Sequence, residues 1–207
     1  MKRIGLSVAL ALSAVLPIHA ADPWPAIVKH VESAVVSVEN TEGSCTGFVI
    51  DTARKYVLTA AHCDGKELYA DRVAAEVVSK DTHKDLLVLS VKELDPHRTA
   101  LKLAPKNPDV MEQVVSIGYG YALERMFYRS ARITDNAVMI PEGGVGGPYI
   151  GTDAPYIGGM SGGPVINVAG AVVSIVQRSD GSALGIGVGA EIIKERVGRF
   201  FAQEPVK

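Results

Sequence analysis

A series of short apolar runs separated by turn residues, with no helical segment between them, most constrains the fold of this chain. Hydrophobic residues make up 47% of its 207 residues, glycine occurs 21 times, and valine recurs within the short runs. Runs of β-branched residues bounded by turn residues are typical of β-strands. Parallel strands need crossover helices, so the pattern predicts a mainly antiparallel, all-β fold.

A turn-rich segment at residues 104–109, Ala-Pro-Lys-Asn-Pro-Asp, divides the predicted strands into two groups. A short helix is predicted over residues 25–33, with proline near its start, and a terminal helix over 190–201 with one apolar face. The predicted strands are 34–39, 46–50, 56–60, 75–79, 86–91, 113–117, 130–134, 165–168, 171–176 and 184–188.

The size and charge of the chain exclude some functions. A length of 207 residues suits one domain or two closely packed halves. Charge is nearly balanced, with 21 Lys and Arg against 23 Asp and Glu, and no basic patch indicates a nucleic-acid partner.

The first 20 residues have the pattern of a secretory signal peptide. Lys2 and Arg3 precede an apolar stretch over residues 4–16, and cleavage after Ala20 leaves 21–207 as the mature domain. The stretch is short for a membrane span, although an uncleaved anchor is the alternative. Export to the periplasm or outside the cell is therefore predicted, with no membrane contact after cleavage.

Two distant segments carry groups for nucleophilic catalysis. Residues 59–63, Thr-Ala-Ala-His-Cys, offer His62 as a general base, and residues 159–164, Gly-Met-Ser-Gly-Gly-Pro, offer Ser161 as a nucleophile. The base needs a buried carboxylate to orient it. Asp85 immediately precedes an apolar strand and is favoured over Asp81, which stands among polar residues.

The serine segment also fits a second pattern. Gly-x-Ser-x-Gly is the nucleophile elbow of α/β-hydrolases, in which the histidine follows the serine. No histidine occurs beyond His97 in this chain. A conventional triad of that kind is therefore excluded.

The order His62, Asp85, Ser161 and the two segments around His62 and Ser161 resemble those of the trypsin-like serine proteases. Within that clan the chain is most similar to the bacterial high-temperature-requirement (Deg) branch, without a segment long enough for a PDZ domain after the catalytic region. The weaker likenesses that indicate this branch are 34–38, 46–51, 81–91, 151–155 and 185–190.

The resemblance implies a specific architecture and site. It implies two antiparallel six-stranded β-barrels, the first over about 34–103 and the second over about 111–190. His62 and Asp85 would lie on the first barrel and Ser161 on the second, with substrate in the cleft between them. The backbone N–H groups of Gly159 and Ser161 would form the oxyanion hole, whose donors stabilise developing negative charge.

The resemblance also implies a disulfide between Cys45 and Cys63, which would tether the turn that carries His62. The alternative is two reduced, buried thiols. These residues make a poor zinc site, since two cysteines and one histidine needed as a base leave too few ligands. No metal or organic cofactor is expected.

The substrate pocket is predicted from position alone. Pro155 stands where a trypsin carries its acidic pocket base. Residues 172–177, with Ser174, Ile175 and Val176 among them, are expected to form one wall, and residues 185–190 another. Without an acid there, cleavage after small or medium apolar residues is predicted, unless Asp153 turns inward.

The residue before Ser161 departs from the digestive enzymes of the clan. Those enzymes carry an acid that pairs with a new N-terminus, and here it is Met160. The sequence thus predicts a serine endopeptidase that hydrolyses extended or unfolded polypeptides and is not activated by that ion pair. A catalytically silent homologue that binds peptides is the alternative.

Overall fold

The computed structural model describes residues 22–121, 125–139, 147–181 and 183–202. The predicted signal peptide lies outside these residues. Within the described ranges, no helix has both the length and the apolar character needed to span a membrane.

The described residues form twelve strands between two short helices. The elements are α1 (Trp24–Val31), β1 (Val35–Asn40), β2 (Gly43–Asp51), β3 (Tyr56–Thr59), β4 (Tyr69–Ala70), β5 (Val73–Asp81), β6 (Leu86–Val91), β7 (Gln113–Tyr119), β8 (Met126–Val138), β9 (Tyr149–Thr152), β10 (Pro164–Ile166), β11 (Val172–Ser179), β12 (Gly185–Gly189) and α2 (Ala190–Val197).

The strands close into two six-stranded barrels, as predicted. The order around the first barrel is β1-β2-β3-β6-β5-β4, and around the second it is β10-β11-β12-β9-β8-β7. All pairings between these strands are antiparallel. The all-β, two-barrel prediction is therefore confirmed.

Central strands are apolar without interruption because both of their faces are buried. In β6, Leu87 and Leu89 point into the first barrel, whereas Leu86 and Val88 join a cluster that contains residues of both barrels and both helices. Successive side chains of a strand point to opposite faces. One face of β6 thus fills a barrel, and the other packs the two barrels together.

The structure adds two strands to the predicted ten. β4 has two residues and β9 has four. Both are too short to show the alternation of apolar and polar residues that predicts a strand. The C-terminal helix also ends earlier than predicted. α2 stops at Val197 and continues as a 3₁₀ turn, Gly198–Phe200.

Candidate active site

The end of β3 positions His62. After Thr59 the chain enters a 3₁₀ turn, Ala61–Cys63, which turns the histidine out of the barrel wall. Thr59 is fully buried, whereas the side chain of His62 is 47% exposed. The ring therefore stands at the surface on a rigid, buried support.

Asp85 holds His62 through two hydrogen bonds. Its Oδ1 accepts the backbone N–H of His62 at 2.8 Å, and its Oδ2 accepts from His62 Nδ1 at 2.8 Å. The carboxylate is buried and lies just before β6, where Asp85 adopts a left-handed φ of 55°. Since a carboxylate only accepts, Nδ1 carries the proton and Nε2 is left as the basic nitrogen.

Asp81, the rival carboxylate, is engaged elsewhere. Its Oδ1 accepts the backbone N–H groups of His83 and Lys84, both at 3.0 Å. It therefore shapes the turn that leads to Asp85.

The serine segment lies at the edge of the second barrel and binds both barrels. Gly162 N–H donates to the Val176 carbonyl at 2.7 Å, and Thr46 N–H, on β2, donates to the Ser161 carbonyl at 2.8 Å. The Ser161 hydroxyl donates to the Gln177 carbonyl at 3.4 Å. Across the described ranges, no hydrogen bond joins His62 to Ser161.

Two glycines of this segment have no room for a side chain. Gly159 has a φ of 96°, and a β-carbon there would lie 2.6 Å from the Tyr119 carbonyl oxygen. At Gly162, with a φ of 81°, a β-carbon would lie 2.3 Å from the Thr46 carbonyl oxygen. The turn therefore requires glycine at both positions.

The backbone N–H groups of Gly159 and Ser161 donate to no acceptor in the described part of the chain. The carbonyl on the other side of each peptide unit is bound, because Gly158 O accepts from Tyr121 N at 2.8 Å and Met160 O accepts from Gly163 N at 2.9 Å. In a trans peptide, the N–H points opposite to the C=O. Both N–H groups thus face away from these contacts, as the donors of an oxyanion hole must.

Met160, between these two donors, is fully buried and packs into the apolar core of the second barrel. A thioether fills apolar space without needing a charged partner.

Cys45 and Cys63 form a disulfide across 18 positions of sequence, with their Cα atoms 6.1 Å apart. It joins β2 to the turn that carries His62. The two sulfur atoms and a ring nitrogen of His62 lie within 4.8 Å of one another. Because the sulfurs are oxidised, they are not the thiolates that a zinc site requires.

Three of the four predicted pocket residues lie inside the protein. Ser174, Ile175 and Val176 are 1%, 0% and 1% exposed, and Ile175 packs in the core between the barrels. Such side chains offer no surface to a substrate, so the predicted wall needs correction. β10 pairs with β11 only as far as Ile175. Gln177 is still buried, and the strand becomes partly exposed at Arg178 and Ser179.

Pro155, the fourth predicted pocket residue, is partly exposed on the facing segment. Its neighbour Tyr156 is tied to β11, since Tyr156 N–H donates to Ser179 Oγ at 2.6 Å. Burial raises the pKa of Tyr156 to about 12, and the Tyr156 hydroxyl has no hydrogen-bond partner in the described part of the chain. Asp153 does not turn inward, because it is exposed and its Oδ1 accepts the Arg132 N–H at 2.7 Å.

Sequence reasoning missed the role of Thr46, and it placed Gln177 in a pocket wall without its contact to Ser161. Both contact the serine segment through bonds that join residues distant in sequence, and no local pattern indicates them. The sequence signals for Thr46 are its place beside Cys45 and at the start of the segment 46–51, and neither indicates a contact with the serine segment.

Comparisons with known proteins agree with this geometry. The signature of the trypsin-like peptidase domain matches residues 45–175. The crystal structure of the Rv3671c protease of M. tuberculosis in its active form is similar, with 25% identity and a TM-score of 0.73 over 98% of this chain and 97% of that one. Its inactive form gives 26% identity and a TM-score of 0.72 over 90% of this chain and 100% of that one.

A more distant neighbour shares the fold alone. The HtrA-type protease AlgW, crystallised with a tripeptide, is 19% identical, with a TM-score of 0.70 over 83% of this chain and 61% of that one. The comparison with curated proteins found no match. The family signature spans more than half of the chain, and the structural neighbours include a protease of the high-temperature-requirement type. The chain therefore belongs to the trypsin-like peptidase family.

Proposed function

We propose that this protein is a serine endopeptidase. The observation that carries the proposal is the Asp85 carboxylate, which binds both the backbone and the ring Nδ1 of His62, so that Nε2 is the ring nitrogen left to act as a base. Ser161 and two unpaired backbone N–H groups stand on the neighbouring barrel. Base, nucleophile and oxyanion donors are the groups that acyl transfer requires.

In the proposed reaction, the Ser161 hydroxyl turns from Gln177 to His62 Nε2, which takes its proton as Oγ attacks the scissile carbonyl carbon. The carbonyl oxygen becomes an oxyanion and accepts hydrogen bonds from Gly159 N–H and Ser161 N–H. As the C–N bond breaks, His62 gives its proton to the leaving amine. Water, deprotonated by His62, then attacks the acyl-enzyme and releases the acid.

An extended polypeptide is the proposed substrate. Beyond Ile175, Arg178 and Ser179 of β11 pair with β12 but not with β10 within the described ranges, and Gln177 forms a bulge between Val176 and Arg178. The backbone at this edge is available to an extended peptide, which binds such an edge as an added strand. Unfolded chains can present an extended backbone with free hydrogen-bonding groups, whereas in folded domains these groups are already paired.

The proposed cleavage preference is for small or medium apolar residues before the scissile bond. The corrected wall carries Arg178, a cation, where recognition of a basic residue would need an acid. The ring of Tyr156 packs against Gly185, where an added β-carbon would lie 2.8 Å from Cζ. A peptide library should be cut mainly after Ala, Val or Leu, and dominant cleavage after Lys or Arg would contradict this preference.

Export to the periplasm or the exterior is also proposed. Its support is the charged and apolar pattern of residues 1–20 together with the disulfide, because disulfides persist in oxidising compartments.

One observation favours the alternative, a silent homologue that binds peptides. The Ser161 hydroxyl contacts Gln177 rather than His62. Catalytic hydrogen bonds are often formed only in the substrate complex, however, and the rest of the site is assembled for chemistry.

A fluorophosphonate probe separates the two functions. An activated serine becomes covalently labelled, so the native chain should be labelled and should degrade reduced, unfolded casein, whereas Ser161→Ala should do neither. Ser116→Ala, which removes a buried hydroxyl from β7, is the control and should retain both activities. Casein bound but uncut by an unlabelled native chain would establish the silent homologue instead.

A further inference from the structure

Thr46 binds the serine segment from the opposite barrel. It lies on β2, is fully buried, and makes four hydrogen bonds to three other segments. Its backbone N–H donates to the Ser161 carbonyl at 2.8 Å, and its hydroxyl donates to the Gly159 carbonyl at 2.8 Å. The same hydroxyl accepts Tyr119 N–H at 2.8 Å, and the Thr46 carbonyl accepts the Thr59 hydroxyl at 2.7 Å.

These contacts complete a set of bonds to four consecutive carbonyls. The Gly158 and Met160 carbonyls accept from backbone N–H groups of the second barrel. The two that alternate with them, on Gly159 and Ser161, accept from Thr46. Every peptide plane from residue 158 to residue 162 is thereby fixed, and all of these peptide bonds are trans.

The Thr46 hydroxyl acts at the weakest point of this segment. Gly159 has no β-carbon and the widest conformational freedom of any residue, yet its N–H must hold one direction. Gly158 O fixes the plane before Gly159, and Thr46 Oγ1 fixes the plane after it. Without the second bond, rotation about Gly159 is restrained on one side only.

We infer that Thr46 is a positioning residue, whose hydroxyl holds the Gly159 carbonyl and so keeps the Gly159 N–H aimed at the developing oxyanion. This inference rests on the proposed function and extends it. Thr46 touches no reacting atom, and it couples the first barrel, which carries His62, to the oxyanion donors of the second.

The test compares Thr46→Val, which keeps the shape and removes the hydroxyl, with Thr46→Ser, which keeps the hydroxyl. Labelling by the fluorophosphonate probe is followed over time, because the phosphonyl oxygen occupies the oxyanion hole in the adduct. Thr46→Val should lower the maximal labelling rate at least about tenfold, towards the 10²–10³-fold loss typical of one missing donor. The probe concentration for half-maximal rate should change little, and Thr46→Ser should restore the rate.

Two controls separate positioning from general destabilisation. Thr59→Val also removes a buried hydroxyl bonded to Thr46, but it leaves all four carbonyls bound and should retain most of the rate. The pH dependence of casein cleavage should keep its shape in Thr46→Val, because the bonds between His62 and Asp85 are untouched. If Thr46→Val does not fold, Thr46→Ala replaces it.

The outcomes are distinct. A folded Thr46→Val or Thr46→Ala that is labelled at the native rate overturns this inference alone. Loss of labelling that Thr46→Ser does not restore also overturns it, since the hydroxyl would not be the cause. A native chain that the probe does not label overturns the proposed function, and this inference with it.

Discussion

Asp85 accepts two hydrogen bonds from one histidine, and this arrangement makes its charge hard to replace. In Asp85→Asn, the side-chain oxygen can still accept the His62 backbone N–H, which turns the amide NH₂ towards Nδ1. Nδ1 must then accept, and the proton moves to Nε2, where it blocks the base. We expect casein cleavage to fall by about 10⁴-fold with the fold intact.

The rival carboxylate is the matched control for that change. In Asp81→Asn, the amide oxygen can still accept the backbone N–H groups of His83 and Lys84, so most of the activity should remain. Equal losses in the two variants would contradict the assignment of Asp85.

Tyr156 gives the stability of the protein a dependence on alkaline pH. An unfolded tyrosine titrates near pH 10, whereas burial raises the pKa of Tyr156 to about 12. A group whose pKa rises on folding contributes stability below the unfolded pKa, and that contribution is lost as pH rises through the folded pKa. Between pH 10 and 12, the Tm of the native chain should therefore fall more steeply than that of Tyr156→Phe. Parallel curves of Tm against pH for the two proteins would show that Tyr156 has the same pKa in the folded and the unfolded chain.

At the scale of elements, the disulfide fixes the turn of His62 to β2. Closing a loop of 18 positions stabilises a protein by roughly 3 kcal/mol in the chain-entropy model. The Cys45→Ala, Cys63→Ala double variant should therefore melt roughly 6–12 °C lower. Native, non-reduced protein should show by mass spectrometry one intramolecular disulfide, and two freely alkylated thiols would refute it.

Local patterns predict the strands better than they predict the cleft. The run Leu86-Leu87-Val88-Leu89 identifies β6 because it is apolar on both faces, whereas β4 is too short to leave a pattern. The pocket wall was misplaced within β11 because sequence shows where a strand lies but not where its neighbour stops pairing. That point, at Ile175, depends on the register between β10 and β11.

Some residues of the candidate site are also predicted by local sequence patterns, whereas others are not. The local segments around His62 and Ser161 predict those two residues directly. The roles of Thr46 and Gln177 depend on hydrogen bonds between residues that are distant in sequence, which only the folded chain reveals. The catalytic assignments themselves stay predictions until the variants are measured.

At the scale of the whole molecule, the C-terminal segment of the second barrel is bound to the first. Arg54, in the turn after β2, donates to the carbonyls of Arg199, Phe200 and Phe201. Its Nε also pairs with Asp51 Oδ2 at 2.7 Å. One side chain thus fastens the chain beyond α2 across the junction of the barrels.

Removing this contact should loosen the junction. We expect Arg54→Ala to reduce the free energy of unfolding by about 1–3 kcal/mol, because charged hydrogen bonds are lost but the side chain is partly solvated. Lys106→Ala, which breaks an exposed ion pair with Asp109, should change it little. Thermal unfolding measures both, and an Arg54→Ala variant as stable as Lys106→Ala would show that the apolar contacts and the hydrogen bond from Ala202 N–H to the Ile50 carbonyl hold the C-terminal segment without Arg54.

On the proposed function, the buried Met160 bears on how the protein becomes active. In the digestive enzymes of the clan, the acid at this position pairs with a new N-terminus, which exists only after proteolytic cleavage of the precursor. The buried thioether of Met160 needs no such cleavage, because it packs against apolar side chains that are present as soon as the second barrel has folded. On the proposed function, freshly folded protein should degrade casein from the first seconds without a lag, and a lag that a proteolytic cut removes would contradict this role of Met160.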